Sequence, residues 1–206
     1  MVNGIFIVID GIDGSGKGEM VKFLHNYLFS KSKSYRILTT REPTNGTYGV
    51  KIREMLKEEK DPDENAEEIF ELFVKDREDH TNNTINPFLK KPNNGEINIV
   101  ICDRYYYSTI AFQATQGLGV DRLIEANNDF PKPDIAFILD LDPKIALERM
   151  QHRAREKFEK QDFMEKLRER FLELPKLLDD NIIIIDASKS KERVFESIRE
   201  EVENLL

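Results

Sequence analysis

Five short apolar runs, separated by long polar stretches, constrain this chain more than any other feature. They are IFIVID (5–10), YRILTT (35–40), INIVICD (97–103), IAFILDLD (135–142) and NIIIIDA (181–187). Their apolar residues occupy consecutive positions. A strand with one wet face would alternate, so these strands expect cover on both faces, as in a parallel sheet. Helical spacing fills the intervals: 17–29 (Met20, Val21, Leu24 and Leu28 on one side), 50–57, 66–81, 108–116, 143–153, 162–178 and 191–205. Strand–helix alternation predicts an α/β three-layer fold with right-handed crossovers. The 206 residues suit a single domain, 1–206, with no linker or repeat.

Composition narrows the partners. A net charge of −8 argues against nucleic acid or an anionic membrane, yet allows a local basic pocket for a phosphorylated small molecule. Cys102 is the only cysteine, so no internal disulfide forms, and a small buried role is expected for it. No apolar run approaches the ~20 residues that span a bilayer, and the N-terminus does not read as a signal peptide. The expected location is the cytoplasm.

The first run leads into GIDGSGKG, residues 11–18. Gly11, Gly16 and Lys17 match the G-x-x-x-x-G-K spacing of a phosphate loop, between a predicted strand and a predicted helix as that motif requires. Glycines let successive N–H groups turn inward around an anion, the helix start adds its dipole, and Lys17 supplies a point charge. The usual next residue is Ser or Thr, whose hydroxyl touches Mg²⁺; here it is Gly18. Water held by a carboxylate can replace that ligand. Asp10, Asp13, Glu19 and Asp103 are the nearby candidates, and Asp103 ends a strand, where magnesium-organising carboxylates sit. Adenylate kinases resemble the loop at this point with G-K-G-T, although Glu19 stands where they carry Thr.

Three arginines stand near predicted strand ends or on a neighbouring helix: Arg41 in TREP, Arg77 in FVKDREDH and Arg104 in DRYYYSTIAFQ. Ligands of open α/β sheets bind at the carboxyl ends of strands. Singly, each arginine reads as a surface ion-pair partner; together they read as a second anion site facing the loop. The charged stretch QHRAREKFEKQDF (151–163) reads either as a solvated helix junction or as a mobile basic flap over phosphates.

With these motifs in place, the sequence closely resembles thymidylate kinases over nearly its whole length. GIDGSGK, TREP, the Phe73–Arg77 spacing, DRYYYS with AFQ, LDLDPKIALER, KFEKQDF and IIIIDAS carry the resemblance. It implies a five-stranded parallel sheet, a homodimer, and transfer of the γ-phosphate of ATP to dTMP with Mg²⁺. It implies that Gly11, Ile12, Asp13, Gly14, Ser15, Gly16, Lys17 and Gly18 cradle ATP, with Ala187 in the adenine loop. Arg41 and Arg104 would bind the dTMP phosphate, with Asp13 beside the sugar and the phosphate acceptor. Phe73 would stack on thymine and Arg77 would donate to a thymine carbonyl. Ser108, Thr109 and Gln113 would line the base or its rim, and Phe112 would crowd the sugar 2′ position. Spacing alone reads Phe73 and Phe112 as helix core. In the lid, Arg149, Arg153 and Arg155 would neutralise the transferring phosphoryl group, and Asp103 and Glu159 would attend the metal. Lys157 and Phe158 depart from the Arg and Tyr of many members. The alternatives are a kinase for another nucleotide or a deoxynucleoside, and an ATP-binding module with decayed catalysis.

Overall fold

The computed structural model describes residues 4–58, 65–90, 95–150 and 161–206. All five expected strands form: β1 (Gly4–Gly11), β2 (Tyr35–Arg41), β3 (Ile97–Asp103), β4 (Ile135–Asp140) and β5 (Ile182–Asp186). They make one sheet of order β2-β3-β1-β4-β5, and every neighbouring pair is parallel. Cover on both faces holds for the three central strands, where Ile7, Val8, Ile9, Val100, Ile101, Ala136, Phe137 and Ile138 have no exposed surface. The edge strands are less enclosed. Arg36 is exposed on β2, and Ile184 on β5 is 38% exposed.

Nine α-helices fill the described connections: α1 (Lys17–Lys31), α2 (Thr47–Glu58), α3 (Ala66–His80), α4 (Asn86–Leu89), α5 (Tyr106–Thr115), α6 (Val120–Glu125), α7 (Pro143–Arg149), α8 (Gln161–Leu177) and α9 (Lys191–Glu203). α1 and α9 pack together on one side of the sheet, and α4, α5 and α8 pack on the other. The apolar stripe expected on α1 points inward, with Met20, Leu24 and Leu28 buried.

Two differences from the sequence reading have local causes. The helix expected to end at residue 81 continues through one wide π turn, Thr81–Ile85, into α4. Pro87 lies in α4 and has no N–H to donate, so the backbone ladder must loosen there. The helix expected over 143–153 is described only to Arg149, which is followed by a capping Met150. Residues 151–160 lie outside the described residues, as do 91–94 of the turn before β3.

The consequence for function is the row of strand ends. Asp103 pairs in register with both Ile9 of β1 and Arg41 of β2, and Asp140 pairs with Asp186. β1 lies between β3 and β4 while the chain crosses from one side of it to the other. Its carboxyl end is therefore the switch point where a ligand crevice opens.

Candidate active site

The phosphate loop joins β1 to α1. Gly11, Gly14 and Gly16 all have positive φ, at 135°, 79° and 99°. At Gly14 a Cβ would lie 2.7 Å from the carbonyl oxygen of Ala146, so the loop sits flush against α7. Gly18 differs. It has ordinary helical backbone, and a Cβ there would meet nothing within 4 Å. The missing hydroxyl is not a steric requirement of the fold.

Lys17 is 7% exposed, and its Nζ donates to the carbonyls of Gly11 (3.0 Å) and Ile12 (2.9 Å). Burial, and then the positive charge of Arg104, bring its pKa down to about 8, against the pull of Asp13, Asp103 and Asp10. Asp13 lies 3.7 Å from that ammonium and also pairs with Arg104 Nη2. Arg104, then Lys17, bring the Asp13 carboxyl down to about 2 despite the cost of its surroundings.

Arg104 holds the loop from the other side. Its Nη1 donates to Ser108 Oγ (2.8 Å) and to the Gly11 carbonyl (3.3 Å). Its backbone is left-handed at φ 69°, a conformation that disfavours side chains with a Cβ. Beneath it lies Asp10, which has no exposed surface. Asp10 accepts from Gly11 N (2.8 Å), Ser108 Oγ (2.6 Å), Ser108 N (3.0 Å) and Tyr105 N (3.1 Å). Burial raises its pKa, while Arg104, Ser108 and Lys17 pull the other way.

Beside this cluster opens a cavity of about 150 Å³. Asp13 and Arg104 belong to its wall as well as to the loop cluster. The expected acceptor residues Phe73, Arg77, Ser108, Thr109 and Phe112 also border it. Gln113 does not: it is fully buried, and its Nε2 donates to Gln116. Arg41 is exposed at the end of β2 and is not in the wall.

The three arginines therefore differ in their surroundings: Arg77 and Arg104 border the cavity, and Arg41 lies outside its wall. Arg77 is fully buried, and its charge is matched by Glu42, whose Oε2 accepts from Nε at 2.9 Å and lies 2.7 Å from Nη2. A cation neutralised at that distance reads a polar edge rather than a phosphate.

Several wall residues carried no role in the sequence reading. Glu42 stands inside TREP, but its partners lie on α3, 35 and 38 positions later. Phe163, Met164, Leu167 and Phe171 come from α8. Phe163 meets Phe112 edge-on at 5.2 Å. Tyr105 also borders the cavity, and Thr44 is pinned to Asp76 of α3 by bonds of 2.7 and 2.6 Å.

On the other side of the loop, Ala187 N donates to Asp140 O (2.8 Å) and Arg149 Nη2 donates to Ala187 O (3.2 Å). Arg149 thus holds the expected adenine loop. Arg153, Arg155, Lys157, Phe158 and Glu159 lie outside the described residues. Among the described residues, no three His, Cys, Asp or Glu side chains gather as a metal cage. Among the described residues, Asp103 Oδ1 is nevertheless buried without a hydrogen-bond partner, as is Ser15 Oγ. An orphaned carboxylate oxygen beside a phosphate loop suits a hydrated Mg²⁺, which needs only one or two carboxylates besides phosphates and water. No helix among the described residues is long and apolar enough to cross a membrane.

Comparison with known proteins agrees with this geometry. The family model described as thymidylate kinase matches residues 9–198. A probable thymidylate kinase of Archaeoglobus fulgidus is 37% identical over 204 residues, covering 98% of this chain and 96% of that protein. A probable thymidylate kinase of Pyrococcus horikoshii is 36% identical, covering 96% and 95%. The thymidylate kinase of Caldicellulosiruptor saccharolyticus is 35% identical, covering 100% and 98%.

The loop geometry separates two glycine substitutions. Gly14→Ala places a Cβ against the Ala146 carbonyl at positive φ and is expected to destabilise by ~1–3 kcal/mol. Gly18→Ala enters open space on a helix and is expected to stabilise by ~0.5–1 kcal/mol. Urea denaturation of both variants measures the contrast; equal effects contradict the described loop.

Proposed function

The chain belongs to the thymidylate kinase family, and on that premise we infer that it transfers the γ-phosphate of ATP to dTMP, yielding ADP and dTDP. The observation that carries the site assignment is the shared boundary: Asp13 and Arg104 border both the phosphate loop and the cavity that holds Phe73 and Arg77. A donor in the loop and an acceptor in the cavity meet there.

In this reading the loop residues Gly11 to Gly18 cradle the ATP phosphates, with Lys17 on the outer ones and Ala187 beneath the adenine. Arg104 and Arg41 take the dTMP phosphate, Phe73 stacks on thymine, Arg77 donates to a carbonyl of the base, and Phe112 lies by the sugar. Phe73 lines the wall as half-buried side-chain surface, which supports a stacking role over a core role. Ser108 already bonds Asp10 and Arg104, so it serves by positioning them. Gln113 lies behind the wall and keeps at most a supporting part.

An oxygen of the dTMP phosphate attacks the γ-phosphorus in line. The new P–O bond forms as the bond to the β–γ bridging oxygen breaks, and ADP leaves with that electron pair. The attacking oxygen is largely ionised at neutral pH, since the second phosphate pKa is ~6, so no strong general base is required. The protein's part is alignment and charge stabilisation. Asp103 and Glu159 would be the carboxylates that hold Mg²⁺, which would supply neutralisation of phosphate charge. Arg153 and Arg155 are the proposed lid cations. The whole chain, 1–206, would act as one catalytic unit in a cytoplasmic homodimer, which sedimentation would register as about twice the 24.1 kDa chain mass.

A coupled assay with ATP and Mg²⁺, offering dTMP, dUMP, dCMP, AMP and thymidine in parallel, tests the assignment. Preferred turnover of dTMP is expected; turnover of thymidine but not dTMP overturns it. Lys17 gives a pH test. Its proton is lost as pH rises through about 8, so the loop loses a cation while ATP keeps its charge. ATP affinity by calorimetry should fall between pH 7 and 9.5. Lys17→Ala should remove that dependence and lower turnover by at least ~10²-fold; unchanged turnover contradicts the mechanism.

A further inference from the structure

Arg77 borders the cavity yet has no freedom. Its guanidinium carries five N–H donors. Nε donates to Glu42 Oε2, Nη1 to Asn127 Oδ1 at 2.6 Å, and Nη2 to Thr109 Oγ1 at 2.9 Å, while the remaining Nη2 proton faces Glu42 Oε2 at 2.7 Å. Its faces lie over the rings of Tyr105 and Phe130, 5.3 and 5.6 Å from their centroids. Among the described residues, one N–H, the second on Nη1, has no partner.

Two residues outside the cavity wall hold this arrangement in place. Asn127 is 4% exposed, and its Nδ2 donates to the Leu123 carbonyl at 2.7 Å. That bond orients the amide, so its oxygen must face Arg77. His80 is also 4% exposed, and its Nδ1 lies 3.0 Å from Glu42 Oε1. An ionised carboxylate only accepts, so Nδ1 carries the proton; in the neutral ring Nε2 then accepts from Thr40 Oγ1 at 2.7 Å. Glu42 is thereby engaged on one oxygen by His80 and on the other by Arg77.

We propose that His80 and Asn127 are positioning residues that set acceptor-base specificity: they lock Arg77 and Glu42 so that the base meets a single N–H donor and no free carboxylate acceptor. Such an edge takes a nucleobase carbonyl, as in thymine or uracil. It opposes an exocyclic amino group, as in cytosine, donor to donor. If the lock loosens, Arg77 gains a second free donor and can turn away, and Glu42 can accept from an amino group. The proposal rests on the cavity being the acceptor site.

The test is steady-state kinetics on dTMP and dCMP for the wild-type protein, Asn127→Leu, His80→Gln and Thr40→Val. Asn127→Leu should raise KM for dTMP roughly tenfold or more with kcat nearly unchanged, while dCMP is used as well as before or better. The dTMP preference then falls roughly tenfold. Thr40→Val removes only the hydroxyl behind His80, so it keeps the test alive if Asn127→Leu does not fold, and it should shift the preference a few-fold in the same direction. His80→Gln keeps a donor and an acceptor and should preserve the preference. Equal losses on both nucleotides, or an intact preference in Asn127→Leu or Thr40→Val, overturn the positioning role while leaving the acceptor site standing. A wild-type protein that turns over neither nucleotide overturns both.

Discussion

The site is organised around one buried carboxylate. Asp10, one residue before the end of β1, has no exposed surface and accepts four hydrogen bonds from two different segments. Gly11 N opens the phosphate loop; Tyr105 N, Ser108 N and Ser108 Oγ open α5. A charge in that position is tolerable only because its donors are in place, and removing one partner of such a group costs more than the bond itself. The carboxylate therefore ties the phosphate loop to α5, the helix that carries part of the cavity wall. Arg104 is held in the same grip, 3.7 Å from Asp10 Oδ1 and bonded to Ser108, and its left-handed backbone is the strain this grip sustains.

Around that centre the positive charges divide by partner. Lys17 and Arg104 face Asp13, an acidic group whose side chain is 65% exposed and which phosphates can compete with. Arg77 faces Glu42, which is 3% exposed and has no water to fall back on. The first pair of cations can be redirected to an anion; the second arrangement is closed except for one donor. In the proposed mechanism the same residue type would serve phosphate neutralisation in one place and base reading in the other, according to how deeply its carboxylate is buried.

Much of this was legible in the chain itself. Consecutive apolar residues predicted all five strands, because a doubly covered strand has no polar positions to interrupt the run. The phosphate loop was legible because its glycines and lysine are local in sequence. α4, α6 and the π turn were not: NPFL and VDRLIE are too short for a period to register, with one buried residue each. Arg77 grouped with Arg41 and Arg104 because its neutralising partner lies 35 positions away, and ion pairing across that distance leaves no pattern. α8 was expected as a helix over 162–178, yet nothing in spacing separates a residue that packs on core from one that lines a cavity.

In the proposed mechanism two nucleotide sites meet at Asp13 and Arg104. Calorimetry with adenosine and thymidine joined 5′ to 5′ through a polyphosphate chain tests it directly. If the sites face each other, this single ligand binds at least ~10²-fold more tightly than ATP or dTMP alone, and Arg104→Ala removes most of the gain. Affinity no better than that of the tighter single nucleotide would contradict it.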